Sequence, residues 1–166
     1  MPAFDICIRG SGAVGLATAL ALSRQGLSIA MTAGPAPASS ARPDVRAYAL
    51  NAVSVRLLTE LKVWEALPTD ARTPVHDMRI EGDASGSALD FSAWTQGVEQ
   101  LAWIVDAAEL ESSLAAAVRF APHVTRLAQD DVDAVKGYAE RTGLKTYTPH
   151  SVKSLAALNR ELAEVR

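Results

Sequence analysis

The sequence predicts an α/β fold with a parallel sheet, and three observations carry that expectation. A glycine-rich turn, Gly10-Ser11-Gly12-Ala13-Val14-Gly15, follows a short β-branched run and opens an Ala/Leu-rich stretch without breakers. A single glycine, Gly26, then separates that stretch from a second apolar run. Further along, short apolar runs keep alternating with helical ones, the pattern of strands joined by crossover helices.

Taken in order, Ile6-Cys7-Ile8 reads as a buried strand, and Leu16 to Gln25 as a helix. Gly26 supplies the C-terminal cap, where a residue with positive φ is wanted, and Leu27 to Met31 is the second strand. Strand, glycine turn, helix and strand make a βαβ unit. Residues 33–43 hold three prolines among small residues and read as a surface loop. Asn51 can cap a helix in which Val55, Leu58 and Leu61 share a face that Trp64 and Leu67 extend. Met78 to Glu81 and Ala88 to Ser92 flank Gly82-Asp83-Ala84-Ser85-Gly86-Ser87, which predicts a β-hairpin. Ala102 to Val105 is a strand, and Asp106 with Glu109 forms a capping box for a helix running to about Arg119. Val124 to Leu127 makes one more strand. Beyond it, Asp130, Asp131 and Asp133 open a short helix ending at Gly143, and Ser154 caps a last helix with Leu155, Leu158, Leu162 and Val165 on one face. The expected division is therefore a sheet domain over 1–128 and a helical tail over 129–166.

Composition excludes several classes. Sixteen basic against nineteen acidic residues, with no basic cluster, argues against a nucleic-acid partner. Cys7 is the only cysteine, so no intramolecular disulfide or thiolate metal cluster is expected, and a thiol inside a strand usually packs as a small hydrophobe. No secretory signal is evident, and the apolar run from Ala13 to Leu22 is shorter than the ~20 residues a bilayer span requires. A cytoplasmic location is the expectation.

The glycine turn has a chemical reason. Gly10 lets the chain leave the strand sharply, Gly12 lets backbone approach a pyrophosphate, and Gly15 lets helix and strand pack closely. The helix N-terminus, through the N–H groups of Ser11, Ala13 and Val14, offers donors and a partial positive charge to phosphates. A bare Gly-x-Gly-x-x-Gly is weak, but its place between strand and helix is the context a Rossmann-like dinucleotide site requires. The alternative is a turn with purely structural duties. An acid expected about 20 residues on, for ribose hydroxyls, is missing: that place holds Ala33.

A second segment, Asp44-Val45-Arg46-Ala47-Tyr48-Ala49-Leu50-Asn51, followed by Ser54-Val55-Arg56-Leu57-Leu58 and Leu61-x-Val63-Trp64, is more specific. With the glycine turn, and with Met78-Arg79-Ile80 and Ile104-Val105-Asp106, it resembles the N-terminal part of the FAD-dependent aromatic-ring hydroxylases. The similarity, over about residues 4–128, is to the branch that hydroxylates the ubiquinone precursor ring, related to the 2-polyprenyl-6-methoxyphenol hydroxylases. The resemblance implies FAD as cofactor, NAD(P)H as electron donor, O2 as oxidant and a small aromatic or quinone-precursor substrate. It also implies that Arg46 contacts the phosphate or ribose part of the flavin nucleotide; taken alone, Arg46 reads as a solvated loop cation. A membrane-associated biosynthetic complex is compatible with it, and the oligomeric state stays open.

The chain departs from that family in three ways. The ribose acid is absent, an arginine near the following helix start is replaced by Ala107 or Ala108, and the family's later Asp-Gly and Gly-Asp motifs are missing, Gly82-Asp83 being a hairpin turn in the wrong place. The chain is expected to be truncated relative to the family, with no residue to name as a catalytic acid or base. Residues 147–151 and 158–166 are similar in a few positions to the effector-binding domain of isocitrate-lyase-regulator-type transcription factors. Three readings follow: the FAD-binding portion of a flavin monooxygenase, a non-catalytic remnant or interaction module, or, on the glycine motif alone, a simple NAD(P)-binding protein. His76, His123 and His150 are too scattered for a metal site, Trp64, Trp94 and Trp103 read as packing residues, and the acids at 130–133 as a helix start.

Overall fold

The computed structural model describes residues 4–32, 44–84 and 86–127. In chain order the described elements begin with β1 (Ile6–Arg9), α1 (Ala13–Ser23), β2 (Ile29–Thr32), β3 (Ala47–Leu50) and α2 (Ala52–Glu60). After two 3₁₀ turns, Trp64–Ala66 and Thr69–Ala71, come β4 (Arg72–Val75), β5 (Asp77–Glu81), β6 (Ala88–Ser92) and α3 (Ala93–Gln96). The last are β7 (Ala102–Asp106), α4 (Ala107–Arg119) and β8 (Val124–Leu127). They divide into two compact units: β1, α1, β2 and β8 in the first, and β3 to β7 with α2 and α3 in the second, while α4 starts in the second and ends in the first. The expected boundary after 128, the tail beyond it and the 33–43 loop all lie outside the described residues.

The first unit is the predicted βαβ with a third strand. Its sheet is parallel in the order β1-β2-β8, with Ile6 opposite Ile29 and Ile29 opposite Val124. Numbering the strands by chain order, this is the 3-2-1 arrangement of half a doubly wound nucleotide fold. Central β2 is buried along its whole length, as a parallel strand covered on both faces must be. α1 packs on all three strands through a stripe of Gly15, Leu16, Ala19, Leu20 and Leu22.

The turn chemistry at both ends of α1 is local. Gly10 adopts φ +125°, open to glycine alone without strain, and ends β1. At the far end Gly26 has φ +81°; its N–H donates to the Ser23 carbonyl at 3.0 Å and that of Leu27 to Leu22 at 3.4 Å, a Schellman cap. The helix starts at Ala13 and not at Leu16 as expected, because Gly12 is the N-cap and the turn residues themselves make the first helical turn.

The second unit is a three-stranded antiparallel sheet in the order β3-β7-β4, beside the β5–β6 hairpin. The hairpin matches the expectation; β3, β4 and α3 were not foreseen. β4 contains Pro74 and lies at an edge of its sheet, where a missing N–H costs no ladder bond. Asn51 caps α2 as predicted, its side chain accepting from the Ser54 N–H at 2.9 Å. α2 ends without a glycine: Lys62 takes φ +60°, its N–H donates to Thr59, and that of Val63 to Leu58. The buried Val63 and Leu58 make the apolar contact of that motif affordable for a lysine with a strained backbone. Asp106 caps α4, accepting from the Glu109 N–H at 3.0 Å, and the stripe Ala107, Leu110, Leu114 and Val118 is buried.

Two packing expectations are corrected. Cys7 is exposed and not a core thiol, because it lies on edge strand β1 and points away from buried Ile8. Trp94 is 91% exposed on the short α3, whereas Trp64 and Trp103 do pack, edge to face at 5.3 Å, with the Arg72 guanidinium 4.8 Å over the Trp64 ring. The hairpin is amphipathic. Met78 pairs with Phe91 and Ile80 with Leu89 on one exposed apolar face, while Arg79 meets Asp90 and Glu81 on the other. Among the described residues no helix is long and apolar enough to cross a membrane.

Candidate nucleotide-binding site

The strand–turn–helix of the first unit places Gly10 to Gly15 together at the carboxyl end of the parallel sheet. Gly10 is tied to the neighbouring strand, its N–H donating to the Thr32 carbonyl at 3.0 Å. The first intrahelical bond of α1 runs from the Leu16 N–H to the Gly12 carbonyl at 3.0 Å. The N–H groups of Ala13, Val14 and Gly15, one turn earlier, therefore have no acceptor within the helix. Among the described residues no side chain caps this terminus and its first turn carries no acid, so none of them compensates the positive end of the helix dipole there. Ser11, Gly12 and Val14 are exposed.

The three glycines differ in why they are glycine. Gly10 is required by its φ. Gly15 is required by contact, since a Cβ there would come 2.5 Å from the Gly10 carbonyl oxygen and 3.6 Å from the Ile8 methyl. Gly12 is required by neither: its backbone is ordinary, at φ −79° and ψ 177°, and a Cβ would meet nothing within 4 Å. The described residues leave space over Gly12, bordered by helix donors without an intrahelical acceptor, and the donor set fits a pyrophosphate that needs close approach to backbone.

Arg46 belongs to the second unit, where its guanidinium is held by acids. Asp44 accepts from Nε at 2.9 Å and from Nη2 at 2.7 Å, and the Glu111 carboxylate lies 3.7 Å from Nη2. Tyr48 donates its hydroxyl to the same Glu111 oxygen at 2.9 Å. The backbone is tied too, with the Arg46 carbonyl accepting from the Ala107 N–H at 3.0 Å. The hydrogen bonds from the Arg46 side chain and backbone hold the Asp44 carboxyl down at about 2. The bond to Glu111 pushes the Tyr48 hydroxyl up. Asp44, Tyr48 and Glu111 were not foreseen as partners of Arg46. The Asp-x-Arg spacing was visible, but Glu111 lies far along the chain and no local pattern connects it to Arg46.

Ala107 is fully buried, so the entry of α4 presents no cationic side chain at that position. His76 accepts or donates locally, its Nδ1 lying 3.0 Å from the Glu99 carbonyl oxygen. Among the described residues no group of His, Cys, Asp and Glu is arranged to hold a metal.

Comparisons with known proteins show a family by sequence and a shared fold by structure. The model of an FAD binding domain matches residues 3–163. The chain is 34% identical over 125 residues to 3-demethoxyubiquinol 3-hydroxylase of Escherichia coli K12, covering 73% of this chain and 32% of that protein. Among solved structures, it is similar to p-nitrophenol 4-monooxygenase PnpA of Pseudomonas putida, with TM-score 0.55 and 17% identity over 74% of this chain and 31% of that one. It is also similar to PqsL of Pseudomonas aeruginosa bound to 2-aminobenzoylacetate, with TM-score 0.56 and 17% identity over 75% of this chain and 33% of the other. The chain thus spans about a third of the length of the proteins it matches.

Proposed function

We infer, from the premise that this chain belongs to the FAD binding domain family, that it is the nucleotide-holding portion of a flavin-dependent monooxygenase acting on a ubiquinone-precursor aromatic ring. The observation that carries the reading is Gly12, the one glycine of the turn whose identity the described residues do not demand, with none of them within 4 Å of a Cβ there and with uncapped helix donors beside it. The E. coli relative supports the choice of substrate class, and NAD(P)H is the reductant that the reading brings with it.

In this reading the first-turn N–H groups of α1, from Ala13 to Gly15, hold the pyrophosphate, and Gly12 lets it approach. Arg46 binds another phosphate or ribose oxygen. When bound, FAD supplies the electron transfer and oxygen activation; these residues hold and orient it. No side chain among the described residues is assigned a proton transfer.

The test is a titration of the purified chain with FAD, following flavin fluorescence and the visible absorption bands, with NAD as competitor. Saturable quenching that NAD does not reverse supports the reading. A flavin spectrum unchanged in excess protein sinks it and leaves a non-catalytic interaction module.

A further inference from the structure

Arg46 is held in place by its own neighbours. Asp44 takes the Nε side of the guanidinium through two nitrogens, and Glu111 stands 3.7 Å from Nη2 while its oxygen is itself fixed by the Tyr48 hydroxyl. Among the described residues Nη1 has no acceptor, and the side chain is 62% exposed. An arginine side chain free in solvent samples many rotamers, and ordering it on a ligand subtracts from affinity. A planar fork already gripped on one edge loses less.

We propose that Asp44 and Glu111 are positioning residues for Arg46, setting the guanidinium so that Nη1 meets a phosphate or ribose oxygen of the flavin nucleotide. The proposal rests on Arg46 being a nucleotide contact. It makes a counter-intuitive demand, because two carboxylates around one guanidinium leave this trio one negative charge in excess. Charge alone would have the acids repel an anionic ligand, so removing one would tighten binding. Geometry predicts the opposite. Arg46 and Asp44 are exposed and Glu111 is part-buried; a charge at such a surface is worth little to affinity, whereas a fixed hydrogen-bonding edge lowers the ordering cost directly. Geometry is the larger effect.

The experiment titrates the full chain with FAD at physiological salt, comparing wild type with Asp44→Asn, Glu111→Gln, Arg46→Gln and the double variant Asp44→Asn/Arg46→Gln, each checked for folding by circular dichroism. Asp44→Asn is expected to raise the Kd about fivefold when Arg46 is present and to leave it unchanged in the Arg46→Gln background. Tighter or unchanged binding by Asp44→Asn, or an equal loss in both backgrounds, overturns the proposal. Arg46→Gln binding FAD as well as wild type overturns instead the reading of Arg46 as a contact. A measurement independent of the ligand accompanies it. In wild type the Arg46 Nε–H resonance is expected to be downfield and slow to exchange with water, and in Asp44→Asn to be averaged and fast. An averaged signal in wild type also overturns the proposal.

Discussion

The Gly10 carbonyl oxygen lies 2.5 Å from where a Cβ on Gly15 would stand. The end of β1 and the first turn of α1 are therefore in backbone contact, and the tightness of the turn follows from that pair. Gly15→Ala is expected to destabilise the chain by about 1–3 kcal/mol, since the crowded atom is backbone and cannot swing aside. Gly12→Ala has room in the fold and is expected to leave the unfolding midpoint nearly unchanged while weakening FAD binding roughly tenfold. Thermal unfolding and the flavin titration, run on both variants, separate the two roles.

Lys62 carries a left-handed backbone, at φ +60°, with the two hydrogen bonds of a Schellman cap. Lys62→Gly relieves that strain without touching the bonds, and a gain of about 0.5–1 kcal/mol is expected in urea unfolding after the entropy of a more flexible unfolded chain is subtracted. A loss of stability would show that the lysine side chain contributes something its exposed position does not suggest.

Asn51 satisfies the Ser54 N–H at the start of α2. Asn51→Ala is expected to cost about 1 kcal/mol, and Asn51→Asp to be nearly neutral, because the carboxylate accepts the same bond at the positive end of the helix. Chemical denaturation of the two variants side by side checks this.

The Asp44 carboxyl is held at about 2, below its ordinary 3.8, by hydrogen bonds from Arg46. A folded value below the unfolded one means that the pair's stabilisation is fully present above about 3.8 and is lost as pH falls through about 2. Following the Asp44 carboxyl carbon by NMR should give a midpoint near 2, moving up towards the ordinary carboxylate range in Arg46→Gln. A midpoint near 3.8 in wild type would show that the fork does not form in solution.

Much of the fold was legible in both units where the signals are local. Gly10 and Gly26 occupy positive-φ positions that glycine alone fills cheaply, Asn51 and Asp106 reach N–H groups three residues on, and the hairpin strands adjoin in sequence. Where no local signal exists, prediction failed. Lys62 ends a helix in a conformation its residue type does not advertise, and Cys7 is exposed because of which strand stands beside β1. β3 and β4 are strands by virtue of β7, with Ala47 opposite Asp106 and Pro74 opposite Trp103.

The sequence by itself determined the βαβ start, the glycine turn and the family to which Asp44 to Leu50 points, since each rests on residues within one or two turns of backbone. Only the tertiary structure decided that Gly12, unlike Gly10 with its positive φ and Gly15 with its crowded Cβ position, is not held to glycine by the described residues, and that Arg46 is gripped by Asp44 and Glu111. The reason is physical. A glycine motif has the same spelling whether a Cβ would strike backbone or solvent, and the Tyr48–Glu111 bond that completes the Arg46 cluster joins residues 63 apart. Such a pairing exists only after the antiparallel sheet has brought β3 beside β7 and α4 has grown from its end.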